Sequence, residues 1–184
     1  MGKIKVSETP MEGLYIIEPT VFGDSRGYFV ETYNQRDMEE AGFPMDFVQD
    51  SQSMSVKGVL RGLHFQKQHP QAKIVRVIRG SVYDVAVDLR RNSPTYGRHV
   101  AVELSAANCR QLFIPRGFAH GFAVLSEFAT FIYKCDNYYA PQAEGGILWN
   151  DPAIAIDWHL RPDEIILSEK DLHHPLLHQF TSPF

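Results

Sequence analysis

The chain has 184 residues, 44% of them hydrophobic and 22% charged, with a net charge of −4. That length and mixture fit one globular domain with its own core and exclude a disordered chain. Acidic and basic residues are interspersed and no apolar run reaches transmembrane length, so neither a basic stripe for nucleic acid nor a membrane-spanning helix is expected.

The first stretch, MGKIKVSETPMEG, lacks the apolar segment of a signal peptide. Cys109 and Cys135 have no CxxC partner, sit in apolar, strand-like contexts, and read as reduced core thiols of a cytoplasmic protein. Going along the chain, NQRDMEEA predicts one helix over Asn34–Ala41, stopped by Gly42. Turn signals then recur at short intervals, from Gly23-Asp24 and Gly42-Phe43-Pro44 to Pro115-Arg116-Gly117 and Asp151-Pro152. Between them lie Val-, Ile- and Phe-rich runs at Ile74–Ile78, Val82–Leu89, His99–Leu104, Gln111–Ile114, Phe122–Leu125 and Ala129–Lys134. Many short strands at this spacing predict an all-β sandwich or barrel in one domain. Val75 and Val77 share a face with Lys73, and Tyr133 shares one with Ala129 and Phe131. Near the C-terminus a short helical turn is predicted over Ser168–Leu172, with Ser168 as its cap.

Two runs do not read as plain core. In Leu60–Gln66, LRGLHFQ, an arginine and a histidine interrupt apolar positions, and regular alternation would point Arg61 and His64 to opposite faces. Gly62 between them marks a candidate bulge that re-aims one of the two. In Ile114–Phe122, the turn Pro115–Gly117 delivers His120 onto an apolar strand. The remaining histidines, His69, His99, His159, His173, His174 and His178, form no constellation and read as surface or packing residues; a metal site from His173, His174 and His178 is weak because Pro175 interrupts them.

These runs resemble the two motifs of the cupin superfamily, with His64, Lys73 and Gly80 in the first and Pro115, Gly117 and His120 in the second. The resemblance implies a double-stranded β-helix, or jelly roll, with a few short helices. Where metal cupins carry a second histidine and a carboxylate, this chain has Gln66 and Lys73. An ammonium has no lone pair and repels a divalent cation, so a base, a cation and an imidazole are left around one cavity. That set suits proton removal next to a carbonyl: His64 as base, Lys73 facing the enolate oxygen, inward-pointing Tyr133 returning the proton, and Asp171 a candidate to orient the base.

Long runs, among them FGDSRGYFVETYN, GVLRGLHFQ, IPRGFAHGFAVLS, YKCDNYYAPQAEGGILWNDP and LSEKD, are together similar to the dTDP-4-dehydrorhamnose 3,5-epimerase family over most of the chain. The resemblance implies inversion of C3 and C5 of dTDP-4-dehydro-6-deoxy-D-glucose in dTDP-L-rhamnose biosynthesis, without metal or organic cofactor. It implies His64 as general base paired with Asp171, Lys73 on the enolate and Tyr133 as proton donor. Arg61, His120, Glu144 and Lys170 would line the nucleotide-sugar site, with Gln49 a polar contact. Ser51 stands where the family commonly has asparagine. Arg26 and Glu31 resemble positions that reach a partner's site, which implies a homodimer with an exchanged N-terminal segment. The competing readings are a single-centre epimerase or ketoisomerase of the same family, a metal-dependent cupin, and a catalytically silent nucleotide-sugar binder.

Overall fold

The structure, a computed structural model, describes residues 4–43 and 45–184. Its core is two antiparallel sheets packed face to face. One has six strands in the order β1 (Ile4–Glu8), β2 (Tyr15–Pro19), β10 (Gln111–Ile114), β7 (Lys73–Arg79), β12 (Phe128–Cys135) and β5 (Gln49–Val56). The other has five, in the order β13 (Glu144–Gly146), β6 (Leu60–Gln66), β11 (Phe118–Val124), β8 (Ser81–Asp88) and β9 (His99–Ser105). A separate hairpin joins β3 (Val21–Asp24) to β4 (Gly27–Val30). The expected jelly roll is present. Its helix is α1 (Gln35–Glu40), capped by the Asn34 side chain, which accepts from the backbone N–H of Arg36 and Asp37.

Three apolar clusters explain why so many strands are apolar on both faces. Between the sheets, Val75, Val77, Leu112 and Phe131 meet Val82, Ala86, Leu104, Phe122 and Val124. The outer face of the five-stranded sheet, with Val85, Val87 and Leu63, is covered by Ile147, Ile154 and Trp158 of the C-terminal segment. The outer face of the six-stranded sheet, with Ile17, Ile74 and Phe113, is covered by Met38 and Phe43. A strand buried on both sides loses the polar half of its alternation.

Several local expectations change. The turn of the first hairpin falls at residues 25–26, and Gly23-Asp24 belongs to β3. Strands β1 to β5 were not expected, β5 (QDSQSMSV) because its inward side chains are polar. The turn expected over Ser168–Leu172 is present, closed by Asp171 N–H on the Ser168 carbonyl at 3.0 Å and on Ser168 Oγ at 3.3 Å. Cys109 lies in a turn after β9, half-buried, whereas Cys135 ends β12 fully buried; both thiols are free. Pro44, part of one turn signal, lies outside the described residues.

Candidate active site

The two sheets do not close over their whole length, and a cavity opens between them. Its inner part, about 160 Å³, is lined by Arg61, His64 and His120 from the five-stranded sheet and by Ser53, Lys73, Phe131 and Tyr133 from the six-stranded one. Its outer part, about 390 Å³, shares Arg61, His64, Lys73 and Tyr133 and adds Gln49, Ser51, Gln66, Gln71, Tyr139 and Glu144. Strand register explains the selection. Ser53, Ser51 and Gln49 pair with Phe131, Tyr133 and Cys135, and Lys73 also pairs with Cys135, so all of them face inward together.

A bulge puts Arg61 and His64 on that same cavity. His64 pairs with His120 and Arg61 with Phe122, so two residues of β6, Gly62 and Leu63, stand opposite the single Gly121 of β11. The bulge needs glycine on both strands. Gly62 has φ +140, and a Cβ on it would lie 2.6 Å from the Gly121 Cα. Arg61 is then steadied across the sheets by donating from Nε to Ser55 Oγ at 3.1 Å.

His64 Nε2 lies 2.5 Å from Oδ1 of Asp171, 107 residues away in sequence. Asp171 is buried, and its Oδ2 accepts from Ser168 Oγ at 2.9 Å. Burial opposes its charge, but His174, His64 and Ser168 outweigh the desolvation and hold the carboxyl well below the usual carboxylate range. An ionised carboxylate only accepts, so Nε2 carries the hydrogen. The Nδ1 lone pair is then the basic site of the imidazole.

Lys73 faces the ring of Tyr133, with Nζ 5.8 Å from its centroid. Desolvation lowers the lysine pKa, and the carboxylates of Asp84 and Glu144, together with nearby Cys135, pull it partly back. A weakly hydrated ammonium is a strong partner for a developing oxyanion. His120 stacks on Phe131, and its Nε2 meets both carboxylate oxygens of Asp84 at 3.0 and 3.1 Å. Asp84 is fully buried on the inner face of β8. At the cavity rim Glu144 accepts from Tyr139 Oη at 2.8 Å and forms an ion pair with Lys170. Burial opposes its charge, but Lys170 and Tyr139 outweigh it and keep the carboxyl low. Gln49 accepts from Tyr139 N–H at 2.9 Å and donates to Ser51 Oγ at 3.1 Å, which orients both side chains at the mouth.

Among the described residues, His64, Asp171 and His174 are one group with metal-ligating atoms, all within 4.8 Å of one another. Two ligands of a tetrahedral zinc stand roughly 3.3 Å apart at metal–ligand bonds of about 2.0–2.1 Å. The 2.5 Å between His64 Nε2 and Asp171 Oδ1 is shorter than that and is a hydrogen-bond contact.

A profile of the dTDP-4-dehydrorhamnose 3,5-epimerase family matches residues 8–179. The chain belongs to that family. It is 55% identical over 178 residues to the dTDP-4-dehydrorhamnose 3,5-epimerase of Salmonella typhimurium, covering 95% of this chain and 96% of that one. It is 54% identical over 172 residues to the enzyme of the same name from Methanothermobacter thermautotrophicus, covering 93% of each. The dTDP-6-deoxy-D-glucose-3,5-epimerase of Legionella pneumophila, solved in complex with dTDP-4-keto-L-rhamnose, superposes with a TM-score of 0.94 at 49% identity, covering 97% of this chain and 95% of that one.

Within this epimerase-family fold, the cavity collects His64, Lys73, Tyr133, Arg61, His120, Gln49, Ser51 and Glu144 in its lining, with Asp171 behind His64 and Lys170 on Glu144. It does not collect Arg26 and Glu31. Arg26 is exposed in the β3–β4 turn and pairs with Asp24 at 2.5 Å, and Glu31 accepts from Asn34 Nδ2 at 3.0 Å. Two neighbours of the site escaped the sequence reading. Asp84 has a visible signal, a carboxylate on the Val82–Ala86 face of an apolar strand. His174, read as surface or packing, sits 3.6 Å from Asp171 Oδ1 and is nearly buried. It follows Asp171 by only three residues; what the fold adds is its place beside His64.

Proposed function

We propose that this family member inverts C3 and C5 of dTDP-4-dehydro-6-deoxy-D-glucose, forming dTDP-4-dehydro-L-rhamnose for dTDP-L-rhamnose biosynthesis. The observation that carries the reading is the opposition across one cavity of His64, on the five-stranded sheet, and Tyr133, on the six-stranded sheet, with Lys73 beside the tyrosine. Both inverted carbons flank the same C4 ketone. Nδ1 of His64 takes the proton from one of them, and the electron pair moves into the C4 oxygen. Lys73 stabilises that enolate. Tyr133 then delivers a proton to the opposite face of the carbon, and the centre is inverted. Once His64 has released its proton and Tyr133 has taken one up from water, the second centre repeats the cycle against the same lysine. Arg61 suits the diphosphate, as a planar fork of donors.

The family resemblance assigns Arg26 and Glu31 to the partner's site, and the surface agrees with a homodimer whose N-terminal segment is exchanged. Phe22, Tyr28 and Phe29 of the hairpin are 49–66% exposed, as are Met54 at 62% and Val56 at 52% on β5, an edge strand of its sheet. Apolar side chains on an open edge fit a protein partner. Free thiols and the nucleotide-sugar substrate fit a cytoplasmic enzyme.

The test is incubation with dTDP-4-keto-6-deoxy-glucose in heavy water, followed by NMR and mass spectrometry. Deuterium at both C3 and C5 is expected. Label at one carbon alone would replace the reading by a single-centre epimerase, and no label would leave a binding protein.

A further inference from the structure

We propose that His174 is a positioning residue for the base, a second imidazole that holds the Asp171 carboxylate aimed at His64. The proposal rests on the acid–base role of His64 given above.

The His174 ring is fixed from two sides. It lies against Gly146 of β13, where a side-chain Cβ would fall inside the space the imidazole occupies. The next residue is tied to the same edge, because Leu148 N–H donates to the Pro175 carbonyl at 2.9 Å. His174 thus fills a notch that only glycine leaves open.

Its position leaves one atom unexplained by packing. The Nε2 of His174 is buried and without a hydrogen-bond partner among the described residues. An unpaired buried polar group costs about 1–3 kcal/mol. The atom stands 3.6 Å from Oδ1 of Asp171, just beyond hydrogen-bond length, and the ring meets His64 edge to face with centroids 5.6 Å apart. Catalytic hydrogen bonds are often long in the free enzyme and tighten in the complex. The carboxylate already receives His64 on Oδ1 and Ser168 on Oδ2, so His174 closes the remaining approach and leaves it one orientation.

The consequence is chemical as well as geometric. His64 must take up and release a proton twice per substrate. A donor from His174 draws charge from Oδ1, so the carboxylate orients the imidazole without retaining its proton too tightly. The other charged or titratable groups sharing the cavity with His64 are Arg61 on β6, His120 on β11, Lys73 on β7 and Glu144 on β13 with its partner Lys170, while the Glu169–His173 pair nearby in the chain is exposed.

Three substitutions separate positioning from packing. His174→Phe keeps the ring's bulk and removes the donor, His174→Gln keeps a donor, and Gly146→Ala pushes the ring out of its notch. The phenylalanine variant is expected to lose kcat about tenfold with KM within roughly twofold, and the acid limb of kcat/KM should move up by about half a pH unit or more. Glutamine should restore most of kcat, and Gly146→Ala should follow phenylalanine. A readout independent of substrate is the downfield NMR proton of the short His64–Asp171 hydrogen bond, which should move in His174→Phe and return toward the parent position in His174→Gln. Equal impairment of Phe and Gln with an unmoved pH limb and an unmoved proton would make His174 a packing residue and overturn the proposal, as would a phenylalanine variant that matched the parent. If the parent protein itself labels no sugar carbon in heavy water, the proposed function has failed, while the NMR proton still reports on His174.

Discussion

Nε2 of His64 is committed to Asp171 and its Nδ1 is not, and that asymmetry sets what substitution does at each neighbouring position. His64→Asn keeps the size and polarity of the site but removes the proposed base. Turnover should fall at least about a thousandfold while nucleotide binding and the thermal transition stay close to the parent, measured by calorimetric titration and circular dichroism. In the proposed mechanism Lys73 acts as the ammonium, and desolvation lowers its pKa. Raising pH therefore neutralises the enolate's partner earlier than it would an exposed lysine. The alkaline limb of the kcat profile should fall below the ordinary lysine value of about 10.4, and Lys73→Ala should cost about 10²–10³ in kcat. The residue types in these roles were legible from the chain, because lysine at a metal-ligand position and histidine in an apolar strand are chemically conspicuous. Asp84 and His174 were not picked out: alternation puts Asp84 on the inner face of its strand and His174 follows Asp171 by three residues, but the imidazoles they meet, His120 and His64, lie on other strands.

At the scale of single elements, the bulge in β6 is the device that matters. Without the extra residue, Arg61 and His64 would point to opposite faces, and the cavity would hold the guanidinium or the imidazole but not both. Gly62→Ala meets both a positive φ and the neighbouring backbone of Gly121. It should lower stability by more than about 1 kcal/mol and abolish activity together, seen as a lower midpoint in urea and lost label exchange. Leu104, fully buried on β9 in the core between the sheets, offers a contrast: Leu104→Ala should cost about 2–5 kcal/mol of stability by leaving a cavity. The surviving folded fraction should keep the parent's KM. The helix and the later strands could be read from periodicity and caps. β5 could not, because its inner face of Gln49, Ser51, Ser53 and Ser55 is polar, while its apolar Met54 and Val56 are exposed.

At the scale of the molecule, charge burial and association are the testable properties. Asp88, Asp171 and Glu144 all have folded-state carboxyls lowered against the desolvation of burial, Asp88 by Arg90, Ser93 and Thr95. Their contribution is complete above the unfolded carboxylate range and is lost as pH falls through the lower folded values. The thermal midpoint should therefore be nearly flat from neutral pH to about pH 5 and drop below about pH 4, as differential scanning calorimetry would record. If the N-terminal hairpin completes the partner's site, mixing Arg26→Ala with His64→Asn chains should recover activity that neither has alone. Random reassortment gives half mixed dimers with one intact site of two, or about a quarter of the parent rate. No recovery after verified subunit exchange would place Arg26 outside the site.

The sequence by itself determined the jelly-roll class, the helix and the family, because each is carried by local residue types and long matching runs. Only the tertiary structure decided which groups share one cavity. His64 and Asp171 are 107 residues apart, and His120 meets Asp84 across neighbouring strands. Such pairings depend on strand order, register and a single inserted residue, and a one-residue shift in register sends a side chain to the other face of its sheet. The chain names the chemical groups; the packing of two sheets and the C-terminal segment sets which of them touch.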